Sequence, residues 1–158
     1  MVLEEQDFIK MRRFPLAYRW TDSRFWKASK THLEQIRPIS PDTATQLWVN
    51  LCGNMFGETL THPIVELQLS SHDGSYQIEE NQKHDVVKWL RFNLPNKPNQ
   101  IAIFWEPAMA VLTNRNLFVN HWDNFCYPSS DDVFVWPLNV SWLLHYHHEE
   151  VFLLKKSS

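Results

Sequence analysis

The most regular hydrophobic pattern in the chain predicts a helix that begins after Ser40. Ser40 can cap this helix, Pro41 suits its first turn, and Asp42 complements the positive end of the helix dipole. The apolar residues recur at the spacing of one buried helix face: Ala44, Leu47, Trp48, Leu51 and Cys52. Gly53 is expected to end the helix in a left-handed conformation.

Shorter helices are predicted on either side of this one. The segment Leu3 to Arg12 carries a sparse apolar stripe. Thr31 and Glu34 have the capping-box spacing, which predicts a helix that runs to Arg37 and stops before a proline. The segment Asp85 to Leu94 has a helical period and is also followed by a proline.

In the C-terminal half, short apolar runs and alternating patterns predict strands. The five predicted strands are Ile101 to Trp105, Met109 to Thr113, Val133 to Trp136, Trp142 to His147, and Val151 to Leu154. A helix capped by Asn114 or Asn116 separates the second strand from the third. It is expected to bury Phe118, Trp122, Phe125 and Cys126.

Two segments of the N-terminal half also have an extended pattern. Residues Ile64 to Leu69 alternate, and the turn dipeptide Asp73-Gly74 predicts a hairpin whose returning strand contains Tyr76 and Ile78. The segment Phe14 to Trp20 is predicted to be an edge strand or an ordered loop.

The order of these elements, helices first and then β-β-α-β-β-β, favours an α+β fold. We expect one globular domain over residues 1–158, because this length suits a single hydrophobic core. Its connections are short enough for antiparallel neighbours. The prediction is therefore a mostly antiparallel sheet of about five strands from the C-terminal half, with helices packed on one face.

Composition excludes several classes of function. A net charge of −3 argues against a nucleic-acid partner, which requires concentrated positive charge. Only three glycines occur, so the glycine-rich loops that bind phosphate are missing. The N-terminus lacks the apolar core of a signal peptide, and no apolar run is long enough to cross a membrane. The two cysteines indicate free thiols in a reducing compartment, so a cytoplasmic location is expected.

Potential metal ligands are concentrated at the end of one predicted strand. His145, His147 and Glu149 alternate and therefore share one face of an extended chain. Two imidazoles and a carboxylate can supply part of the shell of a transition-metal ion. This pattern predicts, as the alternative function, a metal-dependent hydrolase. The shell could be completed by Asp131, Asp132, Cys126 or His121. The ordinary interpretation, a polar strand end without a cofactor, is favoured.

The same stretch supports an interaction surface for another protein. Acidic and aromatic residues occur together here and would suit a basic partner. The residues of this predicted surface are Asp131, Asp132, Trp136, Trp142, Tyr146, Glu149 and Glu150. We predict no catalytic residue on this interpretation, because Cys126 lies on an apolar helix face where a thiol is inert.

Three segments resemble a family of small gammaproteobacterial proteins that is classed as a domain of unknown function. They are LEQIRPISPDTATQLWVNL (Leu33 to Leu51), IAIFWEP (Ile101 to Pro107) and NLFVNHWDNFCYPSSDDV (Asn116 to Val133). The resemblance implies a compact α+β domain and supplies no established activity. The arrangement also looks like small bacterial immunity proteins that neutralise toxins. The leading hypothesis is therefore a small cytoplasmic bacterial protein that binds another protein.

Overall fold

One antiparallel sheet forms the centre of the protein, whose computed structural model describes residues 2–57, 72–79 and 83–157. Within these residues the sheet has seven strands, which are β1 (Arg37–Pro38), β2 (Gly74–Gln77), β3 (Gln100–Glu106), β4 (Met109–Asn114), β5 (Val133–Pro137), β6 (Trp142–His147) and β7 (Val151–Lys156). The strands are ordered β1-β4-β3-β5-β6-β7-β2 across the sheet. All these pairings are antiparallel. The α+β class is thus confirmed.

The sheet is wider than the prediction of about five strands. The five predicted C-terminal strands form its centre, and β1 and β2 add one strand at each edge. Strand β2 contains Tyr76, which the sequence predicted for the returning arm of a hairpin. The first arm of that hairpin, Ile64 to Leu69, lies outside the described residues.

The described residues form five α-helices. These are α1 (Tyr18–Thr21), α2 (Lys30–Glu34), α3 (Pro41–Phe56), α4 (Lys83–Asn93) and α5 (Arg115–Asn120). Short 3-10 turns occur at Glu5–Asp7, Met11–Arg13 and Trp122–Asn124. None of these helices has the length and apolar character to cross a membrane.

Both faces of the sheet are buried, and helices contribute to the core on each face. Alternate residues of β3 belong to two separate hydrophobic clusters: Ile101 and Ile103 to one, Ala102 and Phe104 to the other. The buried side chains of α3 belong to the second cluster. Those of α4 and α5 belong to the first. The prediction that helices pack on one face is therefore not confirmed, because a helical pattern does not specify which side of a sheet it covers.

Helix α3 confirms the clearest helix prediction except at its end. The Ser40 hydroxyl accepts a hydrogen bond from the Thr43 N–H at 3.3 Å, as expected of a cap. All five residues of the predicted face are buried. The helix continues through Gly53, however, and ends at Gly57, whose φ of 79° is left-handed. The Gly57 N–H donates to the Gly53 carbonyl and closes the last turn.

The N-terminal segment departs most from prediction. Two 3-10 turns replace the helix predicted over Leu3 to Arg12, and between them Phe8 bridges to Ile39 beside the sheet. Residues Phe14 to Ala17 form a bend and a turn, which fits the predicted ordered loop and not the edge strand, and Tyr18 to Trp20 lie in helix α1. The Trp20 ring is fully buried and stacks on Phe14 at 5.7 Å. Tertiary burial of these rings therefore overrides the local pattern.

Helix α2 begins and ends earlier than the capping-box pattern predicts. Ser29, not Thr31, caps it by accepting from the His32 N–H at 3.1 Å. The helix ends at Glu34, and Arg37 is then part of the edge strand β1, which pairs with β4. The chain leaves the helical conformation here because the edge of β4 offers backbone hydrogen-bond partners.

Candidate metal centre

The pairing of β5 with β6 brings together the residues of the candidate metal centre. Val133 is opposite Tyr146, and Phe134 is opposite His145, in an antiparallel register. Asp132, which precedes β5, therefore lies beside the C-terminal end of β6. A turn follows β6 directly, and its residue Glu150 has a φ of 63°. This turn keeps the residues that follow His147 close to the strand end.

Asp132, His147 and His148 form a group with the donor types of a metal site. Each offers one ligand atom, and these atoms all lie within 4.8 Å of one another. The carboxylate of Asp132 accepts from the backbone N–H of His148 at 3.2 Å, and its Oδ2 lies 3.1 Å from the Nδ1 of His148. The rings of His147 and His148 are 4.0 Å apart between centroids. The group is therefore compact.

The group is open to solvent on one side and buried on the other. The exposed fractions of the side chains are 28% for Asp132, 14% for His147 and 45% for His148. Behind them lies His145, whose side chain is fully buried. An ion held by this group would therefore have solvent on one side, and protein on the other.

The charge state of the group suits a cation. Burial alone would raise the pKa of Asp132, but the nearby His145 ring and hydrogen bonds from the His148 ring and the His148 backbone lower it to about 2. Asp132 is therefore a carboxylate at neutral pH. Burial lowers the pKa of His145, and the nearby carboxylate of Asp132 opposes that effect only in part. His145 is therefore a neutral imidazole at neutral pH.

His147 is the residue that the predicted and the observed groups share. Its Nδ1 accepts a hydrogen bond from the Glu149 N–H at 3.1 Å and lies 4.0 Å from a carboxylate oxygen of Glu149. The side chain of Glu149 is largely exposed. The rings of His145 and His147 are 5.9 Å apart between centroids. His145 and Glu149 therefore flank the group, while Asp132 and His148 complete it.

Strand alternation did not predict that His148 lies in the same group as His147. Alternation assigns His147 and His148 to opposite faces, but it holds only while the chain remains extended. Here the strand ends at His147 and the turn begins at the next residue. No feature of the local sequence other than the run His147-His148-Glu149-Glu150 could have indicated this.

Of the other ligands suggested for the shell, His121 stacks on Trp26 at 4.5 Å. Cys126 is buried in the core.

The predicted acidic and aromatic surface does not form. Trp136, Trp142 and Tyr146 are all buried. Trp136 belongs to the core on the α3 side of the sheet, and the other two belong to the opposite core. These rings therefore fill the interior on both sides and cannot share one binding surface. Of the acidic residues, Glu149 is exposed and Glu150 is half-buried in the turn that follows β6.

Asp131 has a structural role beside the candidate centre. Its two carboxylate oxygens accept from Nη1 and Nη2 of Arg19 at 2.6 and 3.0 Å, and both side chains are buried. Asp131 also accepts from the Tyr127 N–H at 2.9 Å. The guanidinium of Arg19 lies 3.8 Å above the centre of the Tyr127 ring. The pair thus ties α1 to the loop that ends in Asp132.

No family model matches this chain, and searches of the curated proteins and of the solved structures find no significant match. The resemblance to gammaproteobacterial proteins of unknown function stays a prediction.

Replacement of Arg19 by Met is expected to destabilise the protein strongly. The change leaves the buried carboxylate of Asp131 without its charge partner, and breaking a buried pair in this way costs about 3–5 kcal/mol. The matched control is Arg24→Met, which breaks an exposed pair with Asp22 and should have little effect on stability, because solvent screens exposed ion pairs. Urea unfolding measures both. Equal losses in the two variants would contradict the structural role of Asp131.

Replacement of Asp132 by Asn is expected to change the acid dependence of stability. The folded-state pKa of Asp132, about 2, lies below the ordinary value near 4, so its stabilising effect is full above pH 4 and is lost as the pH falls towards 2. The free energy of unfolding of the wild type should therefore fall by roughly 1–2 kcal/mol more than that of the variant between pH 5 and pH 2. Urea unfolding at several pH values tests this, and parallel curves would refute it.

Proposed function

We propose that this protein binds one divalent transition-metal ion through Asp132, His147 and His148, and that the ion serves a hydrolytic reaction. The support is the grouping of their three ligand atoms within 4.8 Å. Imidazole and carboxylate donors suit zinc and similar ions. A set of ligands that contains no cysteine thiolate is also typical of catalytic zinc sites.

The reaction class follows from the number of ligands and from their exposure. Catalytic zinc sites commonly use three protein ligands and leave one position to water. The partial exposure of His148 leaves room for that water and for a substrate. A bound zinc ion lowers the pKa of its water to about 7, which supplies a nucleophile at neutral pH. Hydrolysis is therefore the reaction that this set of ligands favours.

The two cysteines are not part of this proposal. Cys52 and Cys126 are both buried. Burial raises the pKa of Cys126, so this thiol stays protonated and is a poor ligand and a poor nucleophile. A chain with only two cysteines, both of them buried, suits a reducing compartment, and we infer a cytoplasmic location on this ground.

Binding of another protein is the second candidate function. The observation that favours it is a pair of exposed aromatic rings, Tyr18 and Phe25, which are 41% and 49% exposed and lie 5.1 Å apart. Phe25 also stacks on Tyr127 at 6.4 Å. Aromatic residues held in this way at a surface are common in the energetic centres of interfaces.

We expect purified wild-type protein to bind close to one equivalent of Zn²⁺, and His147→Ala and His148→Ala variants to lose that binding. Loss of a direct ligand should weaken the affinity by more than the roughly 10–100-fold that is typical of groups behind the ligands. Calorimetric titration of untagged protein measures stoichiometry and affinity. His84→Ala is the matched control, because His84 is an exposed histidine on α4.

Hydrolysis of p-nitrophenyl acetate gives a second measurement on the same samples. The zinc-loaded wild type and the His84→Ala variant should accelerate it, and the His148→Ala variant should not. Zinc binding that persists in both ligand variants would exclude this metal centre. Stoichiometric binding without hydrolysis of this ester or of a phosphodiester probe would leave a metal site but remove the hydrolytic function.

For the protein-binding candidate, a Phe25→Ala variant should lose most of its affinity for a partner captured by the wild type. Truncation of a central aromatic residue in an interface typically costs 2 kcal/mol or more, which is about thirtyfold in affinity. Phe92→Ala is the control, since Phe92 is an aromatic residue on α4 that is 89% exposed. Equal affinity of both variants for that partner would exclude the aromatic pair as its binding surface.

A further inference from the structure

His145 is a buried polar residue beside the candidate centre. It lies within β6, opposite Phe134, and its side chain has no exposed surface. The two rings are nearly parallel, at 6°, with 4.5 Å between their centroids. One side of the imidazole is therefore packed as an ordinary aromatic ring would be.

The nitrogen atoms of His145 have few partners. Within the described residues, neither Nδ1 nor Nε2 has a hydrogen-bond partner. Nε2 lies 3.5 Å from Oδ1 of Asp132, so a small shift would bring this carboxylate oxygen within hydrogen-bond distance. A buried polar group without a partner is costly, and a buried imidazolium is more so. A neutral ring with its N–H directed at Asp132 is the arrangement that best reduces this cost.

The two oxygens of Asp132 have different surroundings. Oδ1 accepts from the backbone N–H of His148 and is the oxygen nearest to His145. Oδ2 lies nearest to the Nδ1 of the His148 ring. A second N–H, donated to Oδ1 by His145, would further limit the rotation of the carboxylate. Oδ2 then stays directed towards the histidine side chains where an ion would bind.

We propose that His145 is a positioning residue for the metal centre: when an ion binds, its Nε2–H donates to Oδ1 of Asp132, which lies 3.5 Å away, and leaves Oδ2 to the ion. This inference rests on the proposed function. Metal ligands are often oriented by hydrogen bonds from groups behind them, and loss of such a group typically lowers metal affinity 10–100-fold. His145 itself does not bind the ion in this arrangement.

Two substitutions separate the N–H group of His145 from its ring. His145→Phe keeps a ring that can stack on Phe134 but removes the N–H. His145→Gln removes the ring but supplies an amide N–H at the distance of Nε2. We expect the Phe variant to bind Zn²⁺ about 10–100-fold more weakly at unchanged stoichiometry, and the Gln variant to stay within about threefold of the wild type. Calorimetric titration with Zn²⁺ measures both.

The other outcomes overturn the inference in distinguishable ways. A role in packing alone predicts the reverse order, with affinity kept in the Phe variant and lost in the Gln variant. Direct ligation by His145 predicts a large loss in both variants. If the wild type binds no Zn²⁺, the proposed metal centre itself fails. If the wild type and the Phe variant bind equally well, the centre stands and the positioning role is refuted.

A second pair of variants covers the case in which His145→Phe does not fold. His145→Asn and His145→Gln are both amides and differ by one methylene group. The shorter Asn side chain cannot bring its N–H to the position of Nε2. Affinity kept in the Gln variant and lost in the Asn variant supports the positioning role. Equal affinity in these two variants refutes it.

Discussion

The register between β5 and β6 is the constraint on which the candidate centre depends. It sets Val133 opposite Tyr146 and Phe134 opposite His145, and so places Asp132 beside the end of β6. The core fixes this register, because a slip by one residue would exchange the two buried faces of a strand. Both faces are buried here, so each residue is fitted to its own side. The packing of apolar residues thus determines where the polar ligands meet.

Asp131 and Asp132 are consecutive in the loop before β5 but have different roles. The first is structural, and the second belongs to the candidate metal centre. Asp131 is buried against Arg19, and Asp132 lies beside the partly exposed histidines. Successive side chains of an extended chain point in opposite directions, so one can anchor the loop while its neighbour faces the ligands. The buried ion pair contributes little net stability compared with apolar packing. Its value here is that it specifies the position of the loop.

The sequence alone predicted the elements whose patterns agree with their surroundings. Strand β6 has the predicted bounds, Trp142 to His147, and α3 has the predicted cap and buried face. Prediction from the sequence was wrong where tertiary contacts determine the local conformation. Trp20 is buried in a helix that its local pattern did not indicate, because Phe14 and Phe125 pack against it. Periodicity likewise could not show that helices cover both faces of the sheet.

The many aromatic side chains of the C-terminal stretch fill the hydrophobic core. The polar residues of this stretch are therefore the ones that are informative about function. Trp136 packs against Trp48 on one side of the sheet, and Tyr146 against Phe152 on the other. Polar residues in such a stretch are then expected at strand ends, where Asp132 and His148 lie. His145 departs from this rule, since it is polar and yet fully buried within a strand. Departures of this kind concentrate at functional sites, because an apolar residue there would pack at least as well.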